Sequence, residues 1–197
     1  RTTTPPINNY YLQWLSVKEP FDDTKHDSQK SVEAIIQEYD FLGVSERLDE
    51  SLVALQMLLE LRTSDLLYLS AKVHGGWDDG LYRNQCYYIT PTFVSSSMQK
   101  YFETSPEWYK FSAGDDLLYR AVNASLDRTI STFDQRAYSS NLQRLRWALR
   151  KAEECCRENV TFPCAENGQL NKVNDCMVWD SACGMDCLDQ FSIDHGL

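Results

Sequence analysis

Hydrophobic and polar positions alternate along this chain with changing period. A Thr/Pro/Asn-rich start leads to Tyr10, Tyr11, Trp14 and Leu15, then to a polar stretch over 22–28. This reads as an extended amino-terminal arm, residues 1–28, with one apolar anchor. From Gln29, Val32, Ile35, Ile36 and Tyr39 recur at the i, i+3, i+4, i+7 spacing of a helix. Phe41-Leu42-Gly43-Val44 is too short for a helix and predicts a buried strand. Ser45 is placed to cap a second helix, with Leu48, Leu52, Leu55 and Leu59 as its apolar stripe. Arg62-Thr63-Ser64 breaks that helix, and Leu66-Leu67-Tyr68-Leu69 predicts a second buried strand. Strand, helix and strand within about 30 residues make a right-handed βαβ unit, hence a parallel pair.

Beyond it, His74-Gly75-Gly76-Trp77-Asp78-Asp79-Gly80 forms a glycine-rich loop, and residues 91–110 suggest one or two short helices around Met98, Tyr101 and Phe102. Leu118, Val122, Leu126, Ile130 and Phe133 stripe one long helix. Leu142, Leu145, Leu149, Ala152 and Cys156 stripe another. The two join near 134–138 and are expected to pack on the sheet or on each other. The predicted fold class is therefore α/β: a partial parallel sheet with flanking helices over 29–157, including two long helices, then an acidic cysteine-rich tail over 158–197. In that tail Lys172 alone opposes seven acidic residues, and large apolar side chains are few.

Composition narrows the classes. With 197 residues, 43% hydrophobic and 12% aromatic, the chain can bury a core and is not of the disordered type. A net charge of −10 argues against nucleic-acid binding, which needs a basic face to displace counterions from phosphates. The longest apolar runs fall far short of a membrane span. The chain opens at Arg1 without Met or a signal peptide, which reads as a processed or trimmed product.

Six of the seven cysteines, Cys155, Cys156, Cys164, Cys176, Cys183 and Cys187, crowd the last 43 residues. Zinc would need converging Cys-x2-Cys or Cys/His knuckles, and none is present, so no metal is expected. A disulfide framework fits these six, in any of 15 connectivities. Cys86 is left over as a buried thiol or an intermolecular bridge. The sequons at Asn123-Ala124-Ser125 and Asn159-Val160-Thr161 agree with a secretory or extracellular compartment.

Familiar catalytic signatures are absent. There is no Gly-x4-Gly-Lys-Ser/Thr phosphate loop, no dinucleotide fingerprint, no zinc-binding His-Glu-x-x-His and no Gly-x-Ser-x-Gly elbow. Two charged clusters remain. Ser45-Glu46-Arg47-Leu48-Asp49-Glu50-Ser51 lies where a strand edge would present a site, or is a helix start rich in acid with Arg47 paired to Glu50 or Ser51. Trp77, Asp78 and Asp79 either line a sugar-binding rim or form a solvated turn.

Residues 41–55, Phe-Leu-Gly-Val-Ser-Glu-Arg-Leu-Asp-Glu-Ser-Leu-Val-Ala-Leu, resemble a segment of Golgi carbohydrate sulfotransferases, most of all the galactose-sulfating branch. In that branch a Gly-x-Thr/Ser-Glu-Arg-x-Asp-Glu-Ser-Leu-Val-x-Leu segment precedes a strand, here Asp65-Leu66-Leu67-Tyr68. Asp115-Asp116-Leu117-Leu118-Tyr119-Arg120-Ala121-Val122-Asn123, continuing through Leu126, is similar to the family's Asp-x-x-Leu-Tyr-x-x-x-Asn helix. The resemblance spans residues 41–156. It implies an α/β enzyme of the Golgi lumen that moves a sulfuryl group from 3′-phosphoadenosine 5′-phosphosulfate (PAPS) to a sugar hydroxyl. The family's donor-binding elements lie upstream of the matched segment, and neither is recognisable in the 40 residues before it. No catalytic residue is therefore assigned. Glu46 and Arg47, at matched positions, and Trp77 and Asp78, at the rim, are the candidate substrate-binding residues.

The expectation is a carboxyl-terminal half of such an enzyme, inactive by itself, with a glycan acceptor as ligand. The alternatives are a structural subunit derived from a sulfotransferase, with a protein partner covering the open sheet edge, or a sugar-binding module.

Overall fold

The computed structural model describes residues 9–16, 27–70, 76–78, 85–91, 93–178 and 181–197. The arm residues 1–8 and 17–26 and the loop residues 71–75 and 79–84 lie outside them. The described residues are mostly helical and hold no parallel sheet. They divide between two compact units, one of residues 1–54 and 94–134 and the other of residues 55–93 and 135–197.

In the first unit, α1 (Tyr10–Leu15), α2 (Ser28–Glu38), the start of α3 (Leu48–Leu59) and α5 (Pro106–Ser131) surround one core, and α4 (Ser96–Thr104), none of whose residues is buried, leads into α5. Its fully enclosed members include Leu12, Val32, Ile35, Val44, Ala54, Leu118, Val122 and Leu126. The periodic stripes expected for α2 and α5 are the ones buried. Asp27 caps α2 by accepting from the Gln29 N–H at 3.0 Å. Residues 10–15, expected as an anchor on an extended arm, are helical. Asn9 ties them to α5: its N–H donates to the Phe111 carbonyl at 2.8 Å, and its Oδ1 accepts from the Gly114 N–H at 2.7 Å. Asp115 answers by accepting from the Leu12 N–H at 2.9 Å. Only a residue without a side chain fits at 114, because a Cβ there would stand 2.8 Å from Asn9 and 2.9 Å from Leu12.

The second unit holds α6 (Gln135–Cys156), α7 (Met185–His195) and two antiparallel hairpins, β1 (Trp77–Asp78) with β2 (Tyr87–Tyr88) and β3 (Cys176–Val178) with β4 (Ser181–Cys183). Leu67, Leu69, Ala148, Ala152, Cys156, Leu188 and Phe191 form its core. The tail is thus held by apolar packing of α7 on α6 as well as by disulfides. Gly184 starts α7 in the left-handed region, φ +70°, where a Cβ would also strike Val160 at 2.5 Å.

The βαβ expectation is overturned. Neither apolar run is a strand; each is a short segment whose polar groups are met without a ladder. Val44 is buried, and the Ser51 hydroxyl accepts from its N–H at 2.9 Å and donates to its carbonyl at 3.2 Å. Residues Thr63–Leu66 are a 3-10 turn, and Leu67 and Leu69 pack on the second core. Just beyond, Glu153 accepts from the Ser70 N–H at 3.2 Å and Arg157 donates to the Ser70 carbonyl. With no parallel sheet, the open edge that a partner was expected to cover has no counterpart among the described residues. Nor does Ser45 cap α3: it lies inside a 3-10 turn, Ser45–Arg47, and donates to Glu46. The leucine stripe of α3 is also displaced, since Leu48 and Leu59 are exposed while Ser51, Val53, Ala54 and Gln56 are buried. This pair of hydrogen bonds between Ser51 and Val44 sets the rotation of the helix and turns Ser51 and Ala54, one turn apart, inward.

The disulfides are Cys86–Cys164, Cys156–Cys187 and Cys176–Cys183, and Cys155 is the exposed free thiol. This corrects two expectations, the pairing of Cys155 and the solitude of Cys86. Cys156 points into the core from α6, and its neighbour, about 100° round the helix, faces solvent. Cys86 sits on the β1–β2 hairpin beside Pro163 and meets Cys164 there. Three disulfides fit a secreted or lumenal protein, and no helix of the described residues is long and apolar enough to cross a membrane.

Two measurements check this account. Gly114→Ala should lower unfolding stability by about 1–3 kcal/mol in urea titrations, since Asn9 must move or be left unpaired. Asp65 is held below the usual carboxylate range first by the Arg62 side chain and then by the Arg62 backbone N–H. Its stabilisation is therefore present above its ordinary pKa of 3.8 and is lost as pH falls through the lower folded value. Asp65→Asn should be less stable than the parent at neutral pH by a small, salt-sensitive margin that closes as pH falls through the lowered value.

Candidate functional site

The four candidate substrate-binding residues fall in different units, Glu46 and Arg47 in the first, Trp77 and Asp78 in the second. Arg47, carried on the turn before α3, is spent on the first unit's own structure. Its Nε donates to Glu50 at 2.6 Å, and its Nη1 meets Asp127 at 2.8 Å and the Asn123 side-chain oxygen at 3.3 Å. The hydrogen bond to Glu50, more than the one to Asp127, pushes the guanidinium pKa above its ordinary value against the opposing effect of desolvation. Arg47 is therefore a permanent cation joining α3 to α5. Glu46 is exposed beside it and accepts from the Ser45 hydroxyl.

Trp77 is a structural latch of the second unit. Its Nε1–H donates to the Glu166 carbonyl at 3.0 Å, its ring lies edge-on to Tyr88, and its six-membered face covers Gly168. With the Cys86–Cys164 bond it fastens the β1–β2 hairpin to the loop at 164–170. The Asp78 backbone pairs with Tyr87, and Asp79 lies outside the described residues. The two sequon asparagines also differ. Asn123 is half-buried in the middle of α5, whereas Asn159 is exposed on the 3-10 turn Arg157–Asn159.

Chemistry gathers elsewhere in the first unit, in a cleft of about 510 Å³ where α4 turns into α5. Ser105 makes the corner. Its N–H closes α4 on the Tyr101 carbonyl at 2.8 Å, while its hydroxyl caps α5 by accepting from the Trp108 N–H at 3.1 Å. Pro106 and Glu107 complete that helix start, and Glu107 is held below the usual carboxylate range chiefly by its own backbone N–H. The corner brings Phe102 to 4.7 Å from Trp108, centroid to centroid. Trp108, Ser112, Asp115 and Tyr119 then follow along one face of α5, and Tyr11 of α1 adds a further ring.

Three carboxylates line the cleft, each positioned by a neighbour. Glu103 accepts from Gln99, Asp115 from the Leu12 N–H, and Asp116 is paired with Arg120. Among the described residues that line it there is no lysine or arginine. Aromatic faces that cover C–H surfaces, with carboxylates that accept hydroxyl hydrogens, suit a neutral polyhydroxylated ring. They repel an anion.

Sequence reasoning did not find this site. Its signal was present, as Trp108, Ser112, Asp115 and Tyr119 recur at 4-3-4 spacing, but only the α4–α5 corner shows that this face borders a cleft. Comparison of the chain with protein-family models, with curated proteins and with solved structures returns no match.

Substitution separates the two kinds of residue. Arg47→Met should destabilise the chain by up to about 1 kcal/mol, with most of the loss reproduced by Asp127→Asn and Glu50→Gln in double-mutant cycles. Glu46→Gln should stay within about 0.5 kcal/mol of the parent. Equal, negligible effects at both positions would show that the Arg47 network carries no structural load.

Proposed function

We propose that the chain is the acceptor-side, carboxyl-terminal part of a PAPS-dependent carbohydrate sulfotransferase of the Golgi lumen. One observation carries the reading: the two segments that resemble that family, far apart in sequence, are joined through Arg47, Asn123 and Asp127, and the second also floors the cleft with Asp115, Asp116 and Tyr119. Its apolar residues Leu118, Val122 and Leu126 are core, so one helix serves packing, the junction with α3 and the cleft.

The residues present suit the acceptor sugar and not the donor. PAPS carries phosphates as well as the transferable sulfuryl group, and such a ligand asks for cations or a cradle of backbone N–H groups. A cleft lined by carboxylates offers neither, and no transfer step is assigned to it. What this chain does is hold a sugar ring on Trp108 and Tyr119 and present its hydroxyls to Glu103 and Asp115. A carboxylate positioned in this way can also accept a hydroxyl proton.

Calorimetric titration of the oxidised chain with a methyl galactoside tests the reading. Binding should be saturable with a dissociation constant on the order of 1 mM, about 4 kcal/mol of binding energy, and at least about tenfold weaker in Trp108→Ala. The donor product, 3′-phosphoadenosine 5′-phosphate, should give no response. A folded chain that binds neither favours the structural-subunit alternative, and one that binds the nucleotide has a donor site that the cleft does not explain.

A further inference from the structure

The two sequons have different fates in the folded chain. Asn123 is half-buried at mid-helix. Its Nδ2 donates to the Tyr119 carbonyl at 3.0 Å, and its Oδ1 is held by Arg47, which also binds Asp127 one turn on. A glycan there would grow out of the ion-pair network that joins α3 to α5. Asn159 ends the turn that closes α6 and is exposed. One hydrogen of its Nδ2 donates to the Cys155 carbonyl at 2.9 Å, which holds the amide in place and leaves the second hydrogen for substitution. Thr161, the third sequon residue, is exposed too, its N–H bonded to the Asp175 carboxylate at 2.7 Å.

Asn159 also stands on the rim of a cleft of about 400 Å³, lined with Val160, Asp175, Met177, Met185 and Asp186. Met177 is 76% exposed, an unusual state for so large an apolar side chain. A sugar attached at Asn159 starts inside this cleft. Its apolar face can cover Val160 and the methionines, and its hydroxyls can donate to Asp175 and Asp186.

We propose that Asn159 carries an N-linked glycan whose first sugars lie over this cleft and shield Met177, and that Asn123 is left unmodified. The donor is a lipid-pyrophosphate-linked oligosaccharide of the secretory pathway, the compartment in which the three disulfides form. The Asn159 Nδ2 bonds to the anomeric carbon, the bond from that carbon to the pyrophosphate oxygen breaks, and the pyrophosphate leaves with the electron pair. One amide proton is lost to a base, and the remaining N–H keeps its bond to Cys155. This inference does not rest on the sulfotransferase reading, and its test uses no sugar-binding assay.

The chain is secreted from cultured eukaryotic cells, and its peptides are mapped by mass spectrometry before and after enzymatic removal of N-glycans. The expected result is a glycan at Asn159, none at Asn123, and loss of all N-glycan in Asn159→Gln. Peroxide oxidation of Met177 is then followed in the glycosylated protein and in the same chain secreted from cells whose lipid-linked oligosaccharide synthesis is inhibited, a comparison that keeps asparagine at position 159. Met177 should oxidise several-fold more slowly in the glycosylated form. An unmodified Asn159, or equal occupancy at Asn123, overturns the assignment. Equal oxidation rates in the two forms overturn the placement of the sugars over the cleft.

Discussion

The two hydrogen bonds at the Ser51 hydroxyl, one accepted from the Val44 N–H and one donated to the Val44 carbonyl, show the constraint on which this structure depends. A buried backbone polar group must have a partner, and the strands among the described residues, two or three residues long, supply few through a sheet. Side chains therefore take that role repeatedly. Asn9 serves the N–H groups of Gly114 and Asp115, and Asp115 serves Leu12. Each such bond also fixes a rotation or a register, as at α3, where it decides which residues of the helix are buried.

The two units meet the remaining cost of order by different means. The first relies on packing around Leu12, Ile35 and Leu126, with Gly114 allowing α1 to approach α5 closely. In the second, a smaller core is reinforced by covalent links: Cys156–Cys187 joins the end of α6 to the start of α7 within that core, and Cys86–Cys164 with Trp77 secures the hairpin to the loop. Cross-links that close such loops restrict the unfolded chain, which is where they contribute most of their stabilisation in the chain-entropy account.

The aromatic cleft follows from the same economy of side chains. Ser105 ends one helix and begins the next, and the bend it makes gathers Phe102, Trp108 and Tyr119 with three carboxylates. Those carboxylates are already bound on one side, to Gln99, the Leu12 N–H and Arg120, so they are held in place and not merely exposed. Arg47 is the opposite case. A cation that reads as a ligand-binding residue in sequence is consumed by Glu50, Asp127 and Asn123, and its contribution is to position a helix.

Local periodicity and chemistry determined much of this protein from sequence alone. The stripes of α2, α5 and α6 marked real buried faces, and crowded cysteines with no metal knuckles implied disulfides. These features depend on residues within a few turns of one another or on residue type. The short apolar runs at 41–44 and 66–69 were misread as strands because four apolar residues say that a segment is buried without saying what meets its backbone. Which cysteine stayed free, which leucines of α3 faced out, and whether Arg47 or Trp108 bordered open space were decided by residues up to 106 positions away, as in the Asn9 bond to Asp115. Such choices belong to the tertiary structure, since pairing and exposure are properties of neighbours in space that a local pattern does not contain.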